Sequence, residues 1–162
     1  MSLVVGWETI DNALAAGLED MIALHWDEVA LDKTAIPLDV DWEGYRRRER
    51  ERTFRGIAMR RNGRMIGYNA FFITPTLHYK STLHALNDVI YVDADERGMA
   101  GVRLLRETER LLSTLAPLVK VIYHTKLHVV LGQGTKSGTV GTLLERLGYS
   151  HIENVHAKLV RS

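Results

Sequence analysis

The chain has 162 residues, of which 46% are hydrophobic and 25% are charged, and its formal net charge is +1 at pH 7. This length is enough for a single domain with a hydrophobic core over residues 1–162, and too short for two such domains. The near-neutral charge disfavours a nucleic-acid or membrane-surface protein, and the lack of cysteine excludes disulfides, thiolate metal sites and a cysteine nucleophile.

The first half of the chain predicts a strand, two helices and a hairpin. The N-terminus has no basic stretch and too short an apolar run for a signal peptide or membrane span, so we expect a cytoplasmic protein. Residues 3–5 predict a short strand, and apolar positions at helical spacing predict a helix over residues 11–29. Asp41 is a suitable N-cap for a second helix that reaches residue 52. Strands are predicted over residues 54–59 and 65–73, joined by the tight turn of Asn62 and Gly63.

The second half continues the same sheet. Pro75 ends a strand, residues 77–81 form a loop, and residues 82–92 return as a third antiparallel strand. A helix with its apolar face at Leu104 to Leu115 follows, and then an apolar strand over residues 119–124, which we expect beside strand 82–92. Glycines predict a loop over residues 125–138, before a helix over residues 139–147 that ends at Gly148 and a final strand over residues 149–160.

These elements predict an α/β (α+β) fold, in which a mixed, mostly antiparallel central sheet is flanked by about four helices. The turn after residue 92 has the composition of an anion-binding site, because Gly98 and Gly101 lie where a helix begins. Backbone N–H groups at such a point are unpaired and carry partial positive charge, and small residues let a phosphate approach them. Glycines that serve only the steric needs of a helix start are the alternative.

The element order, this turn and the Leu147-Gly148-Tyr149 segment resemble the GNAT N-acetyltransferase superfamily over nearly the whole chain. The family's turn reads Arg/Gln-x-x-Gly-x-Gly/Ala, and the register here runs from Glu96 to Gly101, so that only the final glycine matches. The resemblance implies that the chain binds acetyl-CoA or CoA. It assigns this binding to the end of the strand and the start of the helix, namely Tyr91, Val92, Arg97, Gly98, Met99, Ala100, Gly101 and Val102.

A closer likeness is to the acetyltransferase-like proteins of tailed phages and prophages. It rests on the sequences at residues 25–28, 36–42, 78–80, 87–88, 124–126 and 144–149. This likeness implies a phage-encoded protein in the host cytoplasm or the virion, with other virion proteins as partners.

Direct acyl transfer requires a base for the incoming amine, backbone amides for the thioester oxygen and an acid near the leaving sulfur. Asp88 is the candidate base, and a carboxylate satisfied by backbone N–H groups or an arginine is the alternative. Leu144 occupies the position of the family's usual acid, a tyrosine, and cannot donate a proton. Tyr123 and His124, at the end of the fifth strand, are candidates to replace it, and strand alternation allows only one of them to face the thiol.

Two functions from different classes follow. The first is an acyl-CoA-dependent N-acyltransferase that acts on a small-molecule or protein amine, and the second is a GNAT-fold protein without transfer chemistry that serves as a virion component or binds a host protein.

Pairing through the final strand is a route to a homodimer. We expect no metal site, because His124 and His128 have no third ligand, and no nucleic-acid surface, because acidic residues interrupt the arginines of residues 46–52.

Overall fold

The computed structural model describes residues 2–125 and 140–160. Its strands are β1 (Leu3–Glu8), β2 (Phe54–Arg61), β3 (Arg64–Thr76), β4 (Tyr79–Val92) and β5 (Leu118–Ile122). Its α-helices are α1 (Ile10–Ala15), α2 (Leu18–Val29), α3 (Trp42–Arg50), α4 (Met99–Leu112) and α5 (Val140–Arg146). A single 3₁₀ turn, Ala94–Glu96, lies between β4 and α4.

The five strands form one sheet in the order β1-β2-β3-β4-β5. Neighbouring strands from β1 to β4 are antiparallel, whereas β5 is parallel to β4 because α4 carries the chain back across the sheet. The predicted mixed, mostly antiparallel sheet is therefore confirmed, as is the predicted position of the fifth strand beside β4.

The sheet buries both of its faces. On one face, α4 packs Leu104 and Leu112 against a cluster that includes Ile57, Ile66 and Phe71. On the other face, α1, α2 and α3 cover two smaller clusters, built on Ala13, Leu18, Ala58, Met65 and Tyr68 and on Ile10, Phe54 and Ala70. Strand residues such as Ile57 and Ala58 alternate between the two faces, as the period of a strand requires.

Two of the predicted turns have the expected backbone. Asn62 and Gly63 both have positive φ, of 50° and 88°, as the tight hairpin turn between β2 and β3 requires. Helix α5 ends at Gly148, whose φ is 91°. The amides of Gly148 and Tyr149 bond back to the carbonyls of Glu145 and Leu144, an arrangement that satisfies the last carbonyls of the helix.

Three element predictions were wrong. The helix expected over residues 11–29 is two helices, because the left-handed backbone of Gly17, with φ of 89°, breaks it. Strand β3 runs through Pro75 to Thr76, and β4 begins at Tyr79, so the predicted loop shortens to two residues. The strand expected over residues 149–160 does not form.

The final strand fails because its sequence does not separate an apolar from a polar face. Val155, Ala157 and Leu159 alternate on one side, while Ile152 and Val160 lie on the other. Ile152 and Val160 are 61% and 95% exposed, so neither set of side chains gains a buried partner. The route to a homodimer through this strand loses its basis, and the predicted loop at residues 125–138 lies almost wholly outside the described residues.

The core contribution of α4 can be tested with Leu104→Ala. Leu104 is fully buried between α4 and the sheet, so this change should lower the free energy of unfolding by about 2–5 kcal/mol. Urea unfolding followed by circular dichroism measures the loss. Arg106→Ala, on the exposed side of the same helix, is the matched control and should change the value by less than about 0.5 kcal/mol. Equal losses in both variants would contradict this packing of α4.

Candidate active site

The sheet opens between its last two strands. Strand β5 pairs with β4 only from Leu83 to Leu86, opposite Leu118 to Ile122. Strand β4 continues to Val92 while it remains paired with β3 on its other side. Within the described part of the chain, residues 87–92 have no strand partner on the β5 side. The carbonyl of Val92 accepts from Arg97, and the other outward N–H and C=O groups of this stretch form an open strand edge.

A β-bulge in β4 turns Asp88 towards the face covered by α1, α2 and α3. Ala70 of β3 pairs with Val89 and Phe71 pairs with Asn87, which leaves Asp88 as the extra residue. Simple alternation would place Asp88 with Ile90 on the face covered by α4. The bulge instead lets its carboxylate reach Tyr45 of α3, since bulges commonly redirect a side chain.

Asp88 is a half-buried carboxylate held by one strong hydrogen bond. The hydroxyl of Tyr45 donates to Oδ2 of Asp88 at 2.6 Å. Burial raises the pKa of Asp88 above its usual value, and the bond from Tyr45 opposes part of this rise. Among the described residues no ion pair joins Asp88 to a cation, so the arginine partner considered from the sequence is replaced by a phenol. A carboxylate with a raised pKa is a stronger base than an ordinary aspartate.

A buried polar network occupies the other face, where the sheet opens. The side-chain amide of Asn87 donates to Oδ1 of Asn69 at 2.8 Å, and the amide of Asn69 donates to Thr108 Oγ1 at 3.1 Å. The same Asn69 amide donates to the hydroxyl oxygen of Tyr123 at 2.9 Å. The network therefore connects β3, β4, α4 and the end of β5, and it fixes the position of the Tyr123 phenol.

The network favours Tyr123 over His124 as a proton donor. Because the Tyr123 oxygen accepts from Asn69, its own proton is available for another acceptor. Burial raises the pKa of Tyr123, so the phenol remains protonated at neutral pH. His124 is exposed, and Leu144, at the position of the family's tyrosine, is buried with 5% exposure.

The start of α4 is open, as an anion site requires. A Cβ atom added at Gly98 or at Gly101 would meet no atom within 4 Å, and Gly98 has a φ of 95° that favours glycine. Met99 is 77% exposed, whereas Ala100 is buried against the core and Val102 is half-buried. The methionine thioether therefore does not fill the space above the first turn, where the initial amides of a helix have no intrahelical acceptor.

Two charged residues of this turn, Glu96 and Arg97, bond to groups of other elements. Glu96 forms an ion pair with Arg61 at 2.8 Å, so its negative charge is compensated beside the β2–β3 turn. Arg97 donates to the carbonyl of Val92 at 3.1 Å and also pairs with Glu28 of α2. Its guanidinium lies 5.6 Å from the centre of the Tyr91 ring. On this ring His25 also stacks, with centroids 5.0 Å apart.

Four polar residues of the site did not emerge from the sequence as functional candidates: Tyr45, Asn69, Asn87 and Thr108. The residues next to each of them in the sequence are apolar or charged, as is usual in a helix or strand. The local sequence therefore does not single out any of the four as functional. The available signal was Asn69 in an otherwise apolar strand, because asparagine is unfavourable there unless its amide is satisfied. Its partners are 18 to 54 residues away, and sequence spacing does not predict such contacts.

Residues 2–125 and 140–160 contain neither a membrane-spanning helix nor a metal-binding cluster. No helix in these ranges is long and apolar enough to cross a bilayer. The same ranges contain no group of three or more histidine, aspartate or glutamate side chains arranged to hold a metal ion. His128 lies outside the described residues, as does the glycine-rich segment at residues 132–137.

No protein-family model matches the sequence, and no curated protein matches it. Solved structures do match over nearly the whole chain. An aminoglycoside acetyltransferase from an uncultured soil metagenomic sample aligns with a TM-score of 0.68 at 14% identity, with 100% of both chains covered. A ribosomal-protein-alanine N-acetyltransferase from Brucella melitensis biovar Abortus gives 0.65 at 13% identity, also over 100% of both chains. A predicted acetyltransferase from Clostridium acetobutylicum, solved with acetyl-CoA, gives 0.62 at 11% identity, over 98% of this chain and 97% of its own.

The chain therefore has the fold of the GNAT N-acetyltransferases. The fold that the sequence resemblance implied is confirmed. At identities of 10–18% the similarity extends to architecture and not to substrates.

The buried charge of Asp88 can be tested with Asp88→Asn. Because the folded-state pKa of Asp88 is raised, the folded chain binds its proton more tightly than the unfolded chain does. The wild type therefore loses stability as the pH rises through that pKa, and the asparagine variant escapes this loss. We expect the variant to melt a few degrees above the wild type at pH 7, with the gap closing as the pH falls.

Thermal unfolding between pH 4 and pH 8 measures this difference. Asp95→Asn, which removes an exposed carboxylate from the turn before α4, is the control and should show a much smaller dependence. If Asp88→Asn lowers the melting temperature by the same amount at every pH, the carboxylate stabilises the fold through its contacts, and the expected cost of its buried charge is absent.

Proposed function

We propose that the protein is an acyl-CoA-dependent N-acyltransferase, with acetyl-CoA as the donor and an amine as the acceptor. The observation that carries this proposal is the open edge of β4 between two different polar groups. Asp88 lies on one face of the sheet and Tyr123 is fixed on the other, while the free start of α4 follows the same strand. The fold supports this function because the similar solved structures are acetyltransferases.

The residues present fit the donor. The space above Gly98 and Gly101 admits a diphosphate to the first amides of α4, and Met99 does not occupy it. The edge of residues 87–92, which includes Tyr91 and Val92, offers its outward backbone groups to an extended amide-containing arm, apart from the Val92 carbonyl that Arg97 holds. The donor supplies an acyl group activated as a thioester. Arg97 and Val102 flank the same helix start and complete the candidate binding residues.

Each polar group has a distinct task in this proposal. Asp88 accepts a proton from the acceptor amine, and the raised pKa of its carboxyl brings it closer to the working pH. Tyr123 donates its proton to the departing sulfur, since Asn69 already satisfies its oxygen as an acceptor. An outward N–H group of residues 87–92 stabilises the developing oxyanion.

A GNAT-fold protein that binds without transfer is the second candidate. Two observations favour it. Leu144 offers no proton at the usual acid position, and Arg97 is already paired with Glu28. The phage relationship, virion partners, cytoplasmic location and single-domain organisation stay predictions from the sequence.

The donor site can be tested with Gly101→Glu. A carboxylate at this position places negative charge where the diphosphate would bind, so the dissociation constant for acetyl-CoA should rise at least about tenfold. Glutamate in the first turn of a helix is favourable to the fold, so the melting temperature should not fall. Isothermal titration calorimetry measures the affinity.

The control for this experiment is Arg106→Gln, which changes the net charge by the same amount further along α4. Its affinity for acetyl-CoA should stay within about twofold of the wild type, as expected for an exposed and screened charge. The absence of wild-type binding at millimolar acetyl-CoA would refute the proposed function. Binding without acyl transfer to any amine would favour the second candidate.

The role of Asp88 as a base can be tested through Tyr45→Phe. The lost hydrogen bond stabilised the charged carboxylate, so the pKa of Asp88 should rise. The acidic limb of the profile of kcat/KM against pH should therefore move to higher pH. Tyr79→Phe, at the exposed hairpin between β3 and β4, is the matched control and should leave the profile in place.

Asp88→Asn should lower kcat by roughly 10²–10⁴. An unmoved acidic limb in Tyr45→Phe would exclude Asp88 as the titrating base.

A further inference from the structure

An apolar cavity lies directly beside Asp88, between the sheet and helices α1, α2 and α3. Its volume is about 250 Å³. Aliphatic and aromatic side chains form its walls, among them Leu18, Ile22, Trp26, Trp42 and Phe54. Asp88 and Tyr45 are part of the same lining, so the Asp88–Tyr45 hydrogen bond lies at the cavity wall.

The cavity offers one negative charge to a ligand. Of the described residues that line it, two carry carboxylates, Glu8 and Asp88. Glu8 is neutralised by Arg60, whose Nε lies 3.1 Å from its carboxylate. His25 is engaged with the hydroxyl of Tyr68 at 2.8 Å. Asp88 is therefore the carboxylate that a cationic group can pair with inside the cavity.

The mouth of the cavity also favours a cation. A second depression adjoins it and shares Ile22, Leu38, Val40 and Trp42 with the cavity lining. This outer depression carries the carboxylates of Glu19 and Asp39. Carboxylates at an entrance raise the local concentration of cationic ligands. The acidic depression therefore adjoins an apolar cavity whose wall contains Asp88.

We propose that the acceptor is a small primary monoamine with an apolar body, such as an arylalkylamine. This inference rests on the proposed function and specifies its acceptor. The amine pairs with Asp88 while the body replaces water against Ile22, Trp26 and Trp42. A polyamine or an aminoglycoside carries further ammonium groups, which would lose their hydration against these walls without a partner. The volume suits one ring with a short arm, since a cavity of about 150 Å³ already holds benzene.

The inference can be tested by acetyl transfer to three amines. The probes are 2-phenylethylamine, ethylamine and spermidine, and release of the free thiol from acetyl-CoA reports the rate. Burial of the phenyl ring should make kcat/KM for 2-phenylethylamine about 100-fold higher than for ethylamine. Spermidine should be as poor as ethylamine or poorer. Equal or faster acetylation of spermidine or ethylamine would overturn the inference, while transfer itself would leave the proposed function standing.

A pair of tryptophan substitutions on α2 tests the site of binding. Ile22→Trp fills the cavity from its wall, so the preference for 2-phenylethylamine over ethylamine should fall at least about tenfold. Leu24→Trp adds the same side chain at a 62% exposed position and should retain the preference. If Ile22→Trp keeps the full preference while it stays folded by circular dichroism, the body of the acceptor binds elsewhere and the inference fails.

A binding measurement separates the two proposals. Trp26 and Trp42 line the cavity, so 2-phenylethylamine should change tryptophan fluorescence in the wild type without any donor present. The change should weaken in Ile22→Trp relative to Leu24→Trp. Saturable binding without acyl transfer to any amine would support the amine cavity and refute the proposed function. The absence of both binding and transfer of 2-phenylethylamine would overturn the inference.

Discussion

The hydrogen bond between the side-chain amides of Asn87 and Asn69 supports the rest of the site. It lies where the bulge interrupts the ladder between β3 and β4, and the Asn87 amide also reaches the carbonyls of Ala70 and Val89. Buried carbonyls without a donor each cost about 1–3 kcal/mol, so an apolar side chain at residue 87 would weaken the bulge. The bulge in turn directs Asp88 to one face of the sheet, and Asn69 positions Tyr123 on the other.

This division between faces explains how one sheet holds two unlike environments. Helices α1, α2 and α3 cover an apolar cavity with a carboxylate in its wall, whereas α4 covers the polar network. Each includes a residue from the stretch of β4 that does not pair with β5, namely Asp88 in the cavity wall and Asn87 in the network. A base and an acid serve different atoms in acyl transfer, and the two faces of the sheet give the carboxylate of Asp88 and the phenol of Tyr123 different surroundings.

Local rules predicted much of the fold, and contacts between distant segments account for what they missed. The β2–β3 hairpin followed from Asn62 and Gly63, and α4 from its apolar period. Glycine tolerates the left-handed backbone, so the sequence allowed a helix break at Gly17. The apolar spacing continues across this position, however, and it therefore predicted one helix. Asp88 was predicted as a candidate base from its place on the strand, and this role stays a prediction. Its partner Tyr45 and the bulge depend on how α3 packs, which no local pattern encodes.

Arg97 links two regions that are separate in sequence. Its guanidinium holds the carbonyl of Val92 at the end of β4 and also Glu28 on α2, the helix that walls the apolar cavity. The Arg97 side chain therefore connects the turn before α4 with the helix that forms part of the cavity wall. Energies in such a shared network do not add, so a change on either side alters the other. Arg97 therefore gives the end of β4 and the helix α2 a shared electrostatic contact.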